Sequence, residues 1–389
     1  MLTTSADPAS GVPPSTPVDF VHTGPGTLAG RYLRRFWQPV SLARELAPGH
    51  AKPLRIMSED FTLYRGEGGQ PHLVAARCAH RGTQLSTGWV EGDCLRCFYH
   101  GWKYDGSGQC TEMPAEDASF SAKVRIASYP TEEYLGLIFA YLGEDEVPPL
   151  PRYPEFEADG VLQPGLYTRY CNYFQHLENG VDEVHLAFVH RQSGFTEHGL
   201  NWDIPRVRAE EAPHGMTIYA TRADGIERIT HFLMPNMIRF KGSPVSADSG
   251  WTDHLAWRVP VDDAHHQAFS VMLAHVTGEA AERFRARGQE RRARLAQLPA
   301  FHDLAAAVLR GELRVHDVED HLDLVPFQDT VAQLGQGVIA DREHERLGRS
   351  DASVILLRRL WTRELQALAA GQPTKQWFRG GDLQVTSGV

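Results

Sequence analysis

Residues 78–100 read C-A-H-R-G-T-Q-L-S-T-G-W-V-E-G-D-C-L-R-C-F-Y-H. Cys78 and His80 form a C-x-H pair; after sixteen intervening residues Cys97 and His100 form C-x-x-H. Two thiolates and two imidazoles make a four-ligand metal site, which suits tetrahedral zinc or a two-iron, two-sulfide cluster with two His on one iron. The pairing bears on the choice. A zinc finger of the C₂H₂ type keeps like ligands together, whereas here each pair mixes one Cys with one His. A two-iron cluster held by two loops needs that mixture, because each loop gives a Cys to one iron and a His to the other.

Outward from this stretch, residues 179–190 read N-G-V-D-E-V-H-L-A-F-V-H, with Asp182, His185 and His190 in the pattern D-x-x-H-x₄-H. Two His and a distant carboxylate form the facial triad of non-haem Fe(II) oxygenases, which leaves positions open for O₂ and substrate. On a helix, residues three apart sit about 60° apart and residues five apart about 140°. Asp182 and His185 therefore share a face, but His185 and His190 diverge too far for one ion on a regular helix. The spacing predicts a distortion near residues 186–189 of a helix over 173–190. A third ligand must come from downstream, and spacing cannot choose among Asp317, Asp320, Asp323, Asp329 and Asp341. Asp is also a preferred helix N-cap, and Asp341 reads that way.

With their flanks, C-A-H-R-G and C-F-Y-H-G-W-K-Y, and with D-x-x-H-x₄-H, these motifs resemble the oxygenase (alpha) component of Rieske non-haem iron ring-hydroxylating oxygenases. Residues 34–40 (R-R-F-W-Q-P-V), 106–114 (G-S-G-Q-C-T-E-M-P) and 336–360 are similar to the phthalate-dioxygenase-like branch. Ala79 departs from relatives that often carry Pro there. The resemblance implies a [2Fe-2S] cluster on Cys78, His80, Cys97 and His100, and Fe(II) on His185, His190 and Asp329. Asp329 is chosen because residues 327–337 resemble the segment in which the ligand Asp opens a helix. Asp182 is then the bridge from His185 to His100 of a neighbouring subunit, and Asn179 fits the family three residues before it. The implied assembly is a homotrimer or a dimer of trimers. The implied reaction uses O₂ and electrons from a separate flavin and iron–sulfur reductase to hydroxylate or O-demethylate an aromatic acid. Arg222, Arg228 and Arg239 are candidate carboxylate partners, though each reads first as a surface charge. The alternatives are an electron-transfer protein with a vestigial iron site, or a zinc-stabilised binding module.

Composition agrees with this picture. The chain has 389 residues, 39 basic and 49 acidic, for a net charge of −10. That argues against a nucleic-acid binder. The basic run at 283–294 reads as a solvated helix face. Five cysteines, two of them committed to a metal, do not make a disulfide framework, and reduced thiols suit the cytoplasm. Cys94 reads as a bystander; Cys110 and Cys171 read as buried thiols. The N-terminus lacks the charged and apolar regions of a signal peptide, and no apolar run approaches the roughly 20 residues that span a bilayer. No G-x-G-x-x-G follows a strand, so NADH has no Rossmann site, and no G-x-S-x-G elbow is present.

Residues 1–39 read as an N-terminal arm and 40–150 as a small β domain with two metal loops. A Pro-rich linker at 147–154 leads to a catalytic domain over 151–389. Strands are expected at 52–57, 60–65, 72–78 and 135–142, then at 206–211, 216–221, 228–233, 254–260 and 269–276. Helices are expected at 279–298, 301–309 and 351–370. The fold class is α+β: an all-β domain followed by a helix-grip-like antiparallel sheet with helices. The stretch at 195–325 is the least family-like and is expected to line the substrate pocket.

Overall fold

The computed structural model describes residues 18–191, 193, 204–242 and 250–378. Residues 1–17 of the expected arm lie outside this set. Helix α1 (Leu28–Arg34) starts where the Thr27 side chain accepts the Gly30 N–H, an N-cap that satisfies one of the orphan donors of the first turn. The strands that follow are short: β1 (Gln38–Leu42), β2 (Ala51–Ile56), β3 (Glu59–Arg65), β4 (Pro71–Ala75), β5 (Trp89–Glu91), β6 (Cys94–Arg96), β7 (Lys103–Tyr104) and β8 (Cys110–Glu112). A one-turn helix α2 (Ala118–Ser121) precedes β9 (Ser128–Tyr129), β10 (Thr131–Tyr134) and β11 (Leu137–Ala140). They form three antiparallel sheets, ordered β1-β11-β10, β2-β3-β4-β9 and β5-β6-β7-β8.

The second half opens with β12 (Val161–Arg169), α3 (Tyr173–Val181) and α4 (His185–Val189). Then come β13 (Arg206–Ala212), β14 (Gly215–Thr221), β15 (Glu227–Leu233), β16 (Met237–Gly242), β17 (Thr252–Pro260) and β18 (His266–Ala274). Helices α5 (Gly278–Leu295), α6 (Phe301–Leu309), α7 (Leu324–Gly335) and α8 (Ala352–Ala369) complete the chain. The seven strands make one antiparallel sheet, β12-β18-β17-β16-β15-β14-β13. Side chains alternate between its faces, so Tyr167, Ala268 and Arg258, which pair across three strands, share a face with Arg169.

Among the described residues, the two largest of four apolar cores hold these parts. The larger unites Leu54, Phe61 and Phe139 from the first half with Phe174, Trp257, Leu360 and Trp361 from the second. The smaller contains Tyr64, Leu95, Trp102 and Tyr104 together with Cys78 and Cys97. The two cysteines are therefore rooted in packed side chains, which limits their freedom before any metal arrives.

The α+β class, with an all-β first domain, matches expectation. Several elements were not expected, among them three in the second half. β12 was hidden by Pro164 and Gly165 in its middle, residues that usually argue against a strand. β16 is short and lies directly after the turn at Pro235 and Asn236. α7 begins at Leu324, with Pro326 in its first turn, where a missing N–H costs nothing. Asp329 therefore sits inside this helix and does not open it. Asp341 caps no helix; its carboxylate accepts the Glu343 N–H and pairs with His344.

Candidate metal centres

The two Cys/His loops are built alike. Gly82 N–H donates to Cys78 O at 2.9 Å, and Gly101 N–H to Cys97 O at 3.1 Å. Each cysteine N–H donates in turn to the carbonyl five residues on, Thr83 O and Trp102 O, at 2.8 Å. Both turns close through a left-handed glycine, Gly82 (φ 73°) and Gly101 (φ 75°), a conformation in which a Cβ would be strained. These backbone rings present the Cys and His of each loop on one side. Cys78 and Cys97 are buried and near each other, while His100 is exposed. The His80 and His100 rings lie 4.4 Å apart, and His80 stacks on Trp102 at 4.5 Å. His80 Nδ1 is buried with no hydrogen-bond partner, which fits a nitrogen meant for a metal. Tyr104 Oη lies 3.2 Å from Cys78 Sγ, and it accepts the Ala79 N–H.

One ion could not take all four residues. Four ligands of a tetrahedral zinc, at about 2.0–2.3 Å each, lie within about 4 Å of one another. Among the described residues, only His185, His190 and Asp329 form a group of three or more candidate ligands within 4.8 Å. The wider spread of the Cys/His set fits two irons with bridging sulfides and does not fit zinc.

The second centre is built at a helix break. α3 starts at Asn172, whose side chain accepts the Phe174 N–H, and it ends at Asp182, where the backbone turns extended. The Asp182 carboxylate accepts the Val184 N–H at 2.8 Å and α4 begins one residue later. The break thus falls at 182–184, before the expected 186–189. His185 opens α4, and His190 closes it at φ −101°, ψ 13°. α4 is helical from His185 to Val189, yet the two rings approach to 5.4 Å between centroids, so side-chain reach closes the divergence of about 140° that helix geometry imposes.

Each imidazole is aimed by its far nitrogen. His185 Nδ1 lies 2.6 Å from Asp182 O, and His190 Nδ1 lies 3.0 Å from Gln328 Oε1. With Nδ1–H donating to these oxygens, Nε2 of each ring is the nitrogen turned toward Asp329 and suited to ligate. His190 Nε2 lies 3.2 Å and His185 Nε2 3.7 Å from Asp329 Oδ1. Asn179 Nδ2 donates to the same oxygen at 3.3 Å. Burial alone would raise the Asp329 pKa; the hydrogen bond and charge of His190, with the charges of His185 and Arg169, hold it at about 2. Burial opposes charge on His190, yet Asp329 and Gln328 raise its pKa. A carboxylate held ionised beside two aimed imidazoles is a donor set for Fe(II).

Asp182 uses its backbone carbonyl on His185, whereas its carboxylate Oδ2 stands 3.8 Å from His185 Nδ1. Gln328 was missed at the sequence level because a glutamine beside the ligand Asp carries no spacing signal. Of the candidate arginines, Arg228 pairs with Glu183 at 3.4 Å and Arg239 with Glu155 at 2.8 Å. The other cysteines stand apart. Burial raises the Cys94 and Cys110 pKa values and lifts that of Cys171 to about 11, so these thiols are not poised for chemistry.

Residues 36–130 match the Rieske [2Fe-2S] domain family. Over 376 residues the chain is 31% identical to the 5,5'-dehydrodivanillate O-demethylase oxygenase subunit of a Sphingobium species, covering 92% of this chain and 81% of that protein. It is also 31% identical to the phenoxybenzoate dioxygenase alpha subunit of Ectopseudomonas oleovorans, covering 92% and 87%. The fold is shared with the oxygenase in a reduced oxygenase–ferredoxin complex of carbazole 1,9a-dioxygenase. The TM-score is 0.64 at 19% identity, over 89% of this chain and 94% of that one. Two loops suited to a [2Fe-2S] cluster, a His₂Asp centre for iron, and whole-length similarity to such subunits lead to one assignment: the chain belongs to the Rieske non-haem iron oxygenases, as an oxygenase component.

Proposed function

We propose that Cys78 and Cys97 hold one iron of the [2Fe-2S] cluster and His80 and His100 the other, within a domain spanning 40–150. His185, His190 and Asp329 hold Fe(II) in a catalytic domain spanning 151–389. The observation that carries this reading is the approach of those three side chains, whose ligand atoms lie within 4.8 Å of one another. The bound metals supply electron storage and O₂ activation. The chain supplies direction and exclusion. Asp182 O and Gln328 fix which imidazole nitrogens would ligate, Asn179 and His190 fix the Asp329 carboxylate, and the buried Cys78 and Cys97 would shield a bound cluster from water.

The substrate is an aromatic acid, which the chain hydroxylates or O-demethylates. Support comes from the names of the two relatives, an O-demethylase acting on dehydrodivanillate and a phenoxybenzoate dioxygenase. Electrons come from a separate flavin and iron–sulfur reductase or ferredoxin; the carbazole enzyme's complex with ferredoxin supports such a partner. The protein works as a homotrimer or a dimer of trimers. Beside the exposed His100, Trp89, Phe98 and Tyr99 are each more than half exposed, an apolar surface that suits a subunit contact. No helix among the described residues is long and apolar enough to cross a membrane, and the cytoplasm is the compartment we assign.

The test is a metal count and EPR spectrum on protein purified without oxygen, before and after dithionite. Three irons per chain with a Rieske signal are expected. Asp329→Ala should keep the signal, drop to two irons and lose substrate-dependent O₂ uptake. A colourless zinc protein, or Asp329→Ala with all its iron and full uptake, would refute the assignment.

A further inference from the structure

Near Asp329 lie two arginines that form no ion pair among the described residues. Arg169, at the end of β12, is completely buried, and its Nε and Nη1 have no hydrogen-bond partner. Its remaining nitrogen, Nη2, reaches Tyr167 Oη at 3.4 Å and Pro326 O at 3.5 Å, both long contacts. The guanidinium also sits 5.3 Å from the Tyr167 ring centre. Arg258, on β17, donates Nη1 to Trp257 O at 3.3 Å and leaves a buried Nε without a partner. Neither has an ion pair among the described residues, whereas Arg228 and Arg239 on neighbouring strands each have a glutamate.

The strand register puts both on the sheet face that carries Tyr167, and Arg169 and Arg258 each act electrostatically on the other and on Asp329. Burial and the neighbouring Arg169 pull the Arg258 pKa down to about 10, against the charges of Tyr167 and Asp329, so it stays a cation at neutral pH. The histidines packed beside them do not share this charge. Burial holds His176 far below its usual pKa and His266 at about 3, and the two are linked by a 2.8 Å hydrogen bond. Two guanidinium charges against the one Asp329 carboxylate leave this region positive, and a divalent ion bound at His185, His190 and Asp329 would make it more so. Isolated buried charge is costly unless it is paired, and an orphaned buried donor calls for a partner.

We infer that Arg169 and Arg258 form the subsite that receives the carboxylate of the substrate, orienting its ring toward the iron centre. This rests on the aromatic-acid reading above and makes it specific: the acid group is read inside the protein, by a fork of donors that matches a carboxylate in charge and shape. The gap beside Arg258, lined also by His176, Gly180, Ile238 and Ala256, is only about 10 Å³, room for a single water. Binding must therefore widen it, so binding itself is the measurement of choice.

The experiment uses the iron-loaded enzyme and three probe pairs: benzoate, 4-methoxybenzoate and 3-phenoxybenzoate, each against its carboxamide. Calorimetry should give at least one acid binding roughly tenfold to a hundredfold tighter than its amide, the range for hydrogen bonds to a charged group. Arg258→Met should abolish that preference while its melting temperature stays level or rises, because an unpaired buried charge has been removed. Arg258→Lys and Arg169→Lys keep a charge without the fork, and each should shrink the preference. A structural role predicts the reverse, a lower melting temperature with the preference intact. Equal binding of all acids and amides by the wild type, or a preference that survives in every variant that folds, would overturn the inference. The iron count and O₂ uptake separate the two levels. Three irons with uptake on neutral aromatics and no acid preference removes the subsite alone, whereas loss of the mononuclear iron removes the reading beneath it.

Discussion

His190 shows how one side chain outside the ligand set decides whether a ligand works. Its ring is 1% exposed, so its Nδ1–H needs an acceptor, and Gln328 Oε1 lies 3.0 Å away to accept it. Removing that acceptor leaves a buried donor unpaired, at a cost of about 1–3 kcal/mol, and frees the ring to rotate away from Asp329. Gln328→Ala should therefore weaken Fe(II) binding about 10- to 100-fold, while the cluster's EPR signal is unchanged. Titration of apoprotein with Fe(II) under nitrogen measures this, and equal affinity in the variant would show that packing alone aims the ring. At this scale the sequence was informative where chemistry demands a rare residue pattern. The mixed Cys/His pairs and D-x-x-H-x₄-H stand out from any background. Gln328, Arg169 and Arg258 do not, since a glutamine or arginine acquires its role from what lies across the fold, which one linear sequence does not display. Two of the three arginines that sequence reading singled out, Arg228 and Arg239, have glutamate partners on other elements.

Among the elements, α3 and α8 form a frame behind the iron centre. Glu178 on α3 is buried and accepts from Arg342 at 2.7 Å and from Arg358 on α8 at 2.6 Å. At its outer end α8 is tied to β13, where Glu211 accepts from Arg363 at 2.9 and 3.0 Å and from Lys375 at 2.6 Å. The Arg363 hydrogen bonds, reinforced by Lys375 against a smaller burial penalty, hold the Glu211 pKa at about 2. A carboxyl whose folded pKa lies below its unfolded value stabilises the fold at pH above the unfolded value, about 4.3, and loses that contribution as pH falls toward the folded one. Glu211 is about a third exposed, so its contribution is screened to about 0.5 kcal/mol. Glu211→Gln should lower the melting temperature slightly at pH 7, and the gap from wild type should close between about pH 4.5 and 2. A gap independent of pH would mean that shape, not charge, matters there. Helices such as α8 and strands such as β17 were readable from periodicity. Ranges that carry Pro inside, β12 and α7, were not, because the local rule against Pro gave way to position within the sheet and to the first turn of the helix. The break after α3 was expected one turn late, since the side-chain turn made by Asp182 can be recognised only once its bond to Val184 N–H is seen.

In the whole molecule, the two centres stand on different structural units, and the arrangement of exposed groups suggests how they are joined. His100 is exposed beside Trp89, Phe98 and Tyr99, while the Asp182 side chain is 29% exposed next to His185, the proposed iron ligand. Among the described residues the Asp182 carboxylate has one short bond, from Val184 N–H, and its Oδ2 has capacity for another donor. On the proposed reading that donor is the His100 imidazole of a neighbouring subunit, so the route from cluster to iron exists only in the oligomer. Asp182→Asn isolates this role. The asparagine oxygen still accepts the Val184 N–H, so the break between α3 and α4 and the direction of His185 are retained. The charge that holds two imidazoles in line is gone. The variant should keep three irons, the Rieske EPR signal and the wild-type oligomer size, and yet lose about 10- to 100-fold in substrate-dependent O₂ uptake, the penalty expected when a carboxylate that orients metal-bound imidazole is removed. Rapid mixing of reduced enzyme with substrate and O₂ places the defect. Slow reoxidation of the cluster with normal substrate binding identifies the inter-subunit step, whereas wild-type reoxidation in a variant of normal oligomer size would show that electrons cross elsewhere and that Asp182 serves its own chain alone.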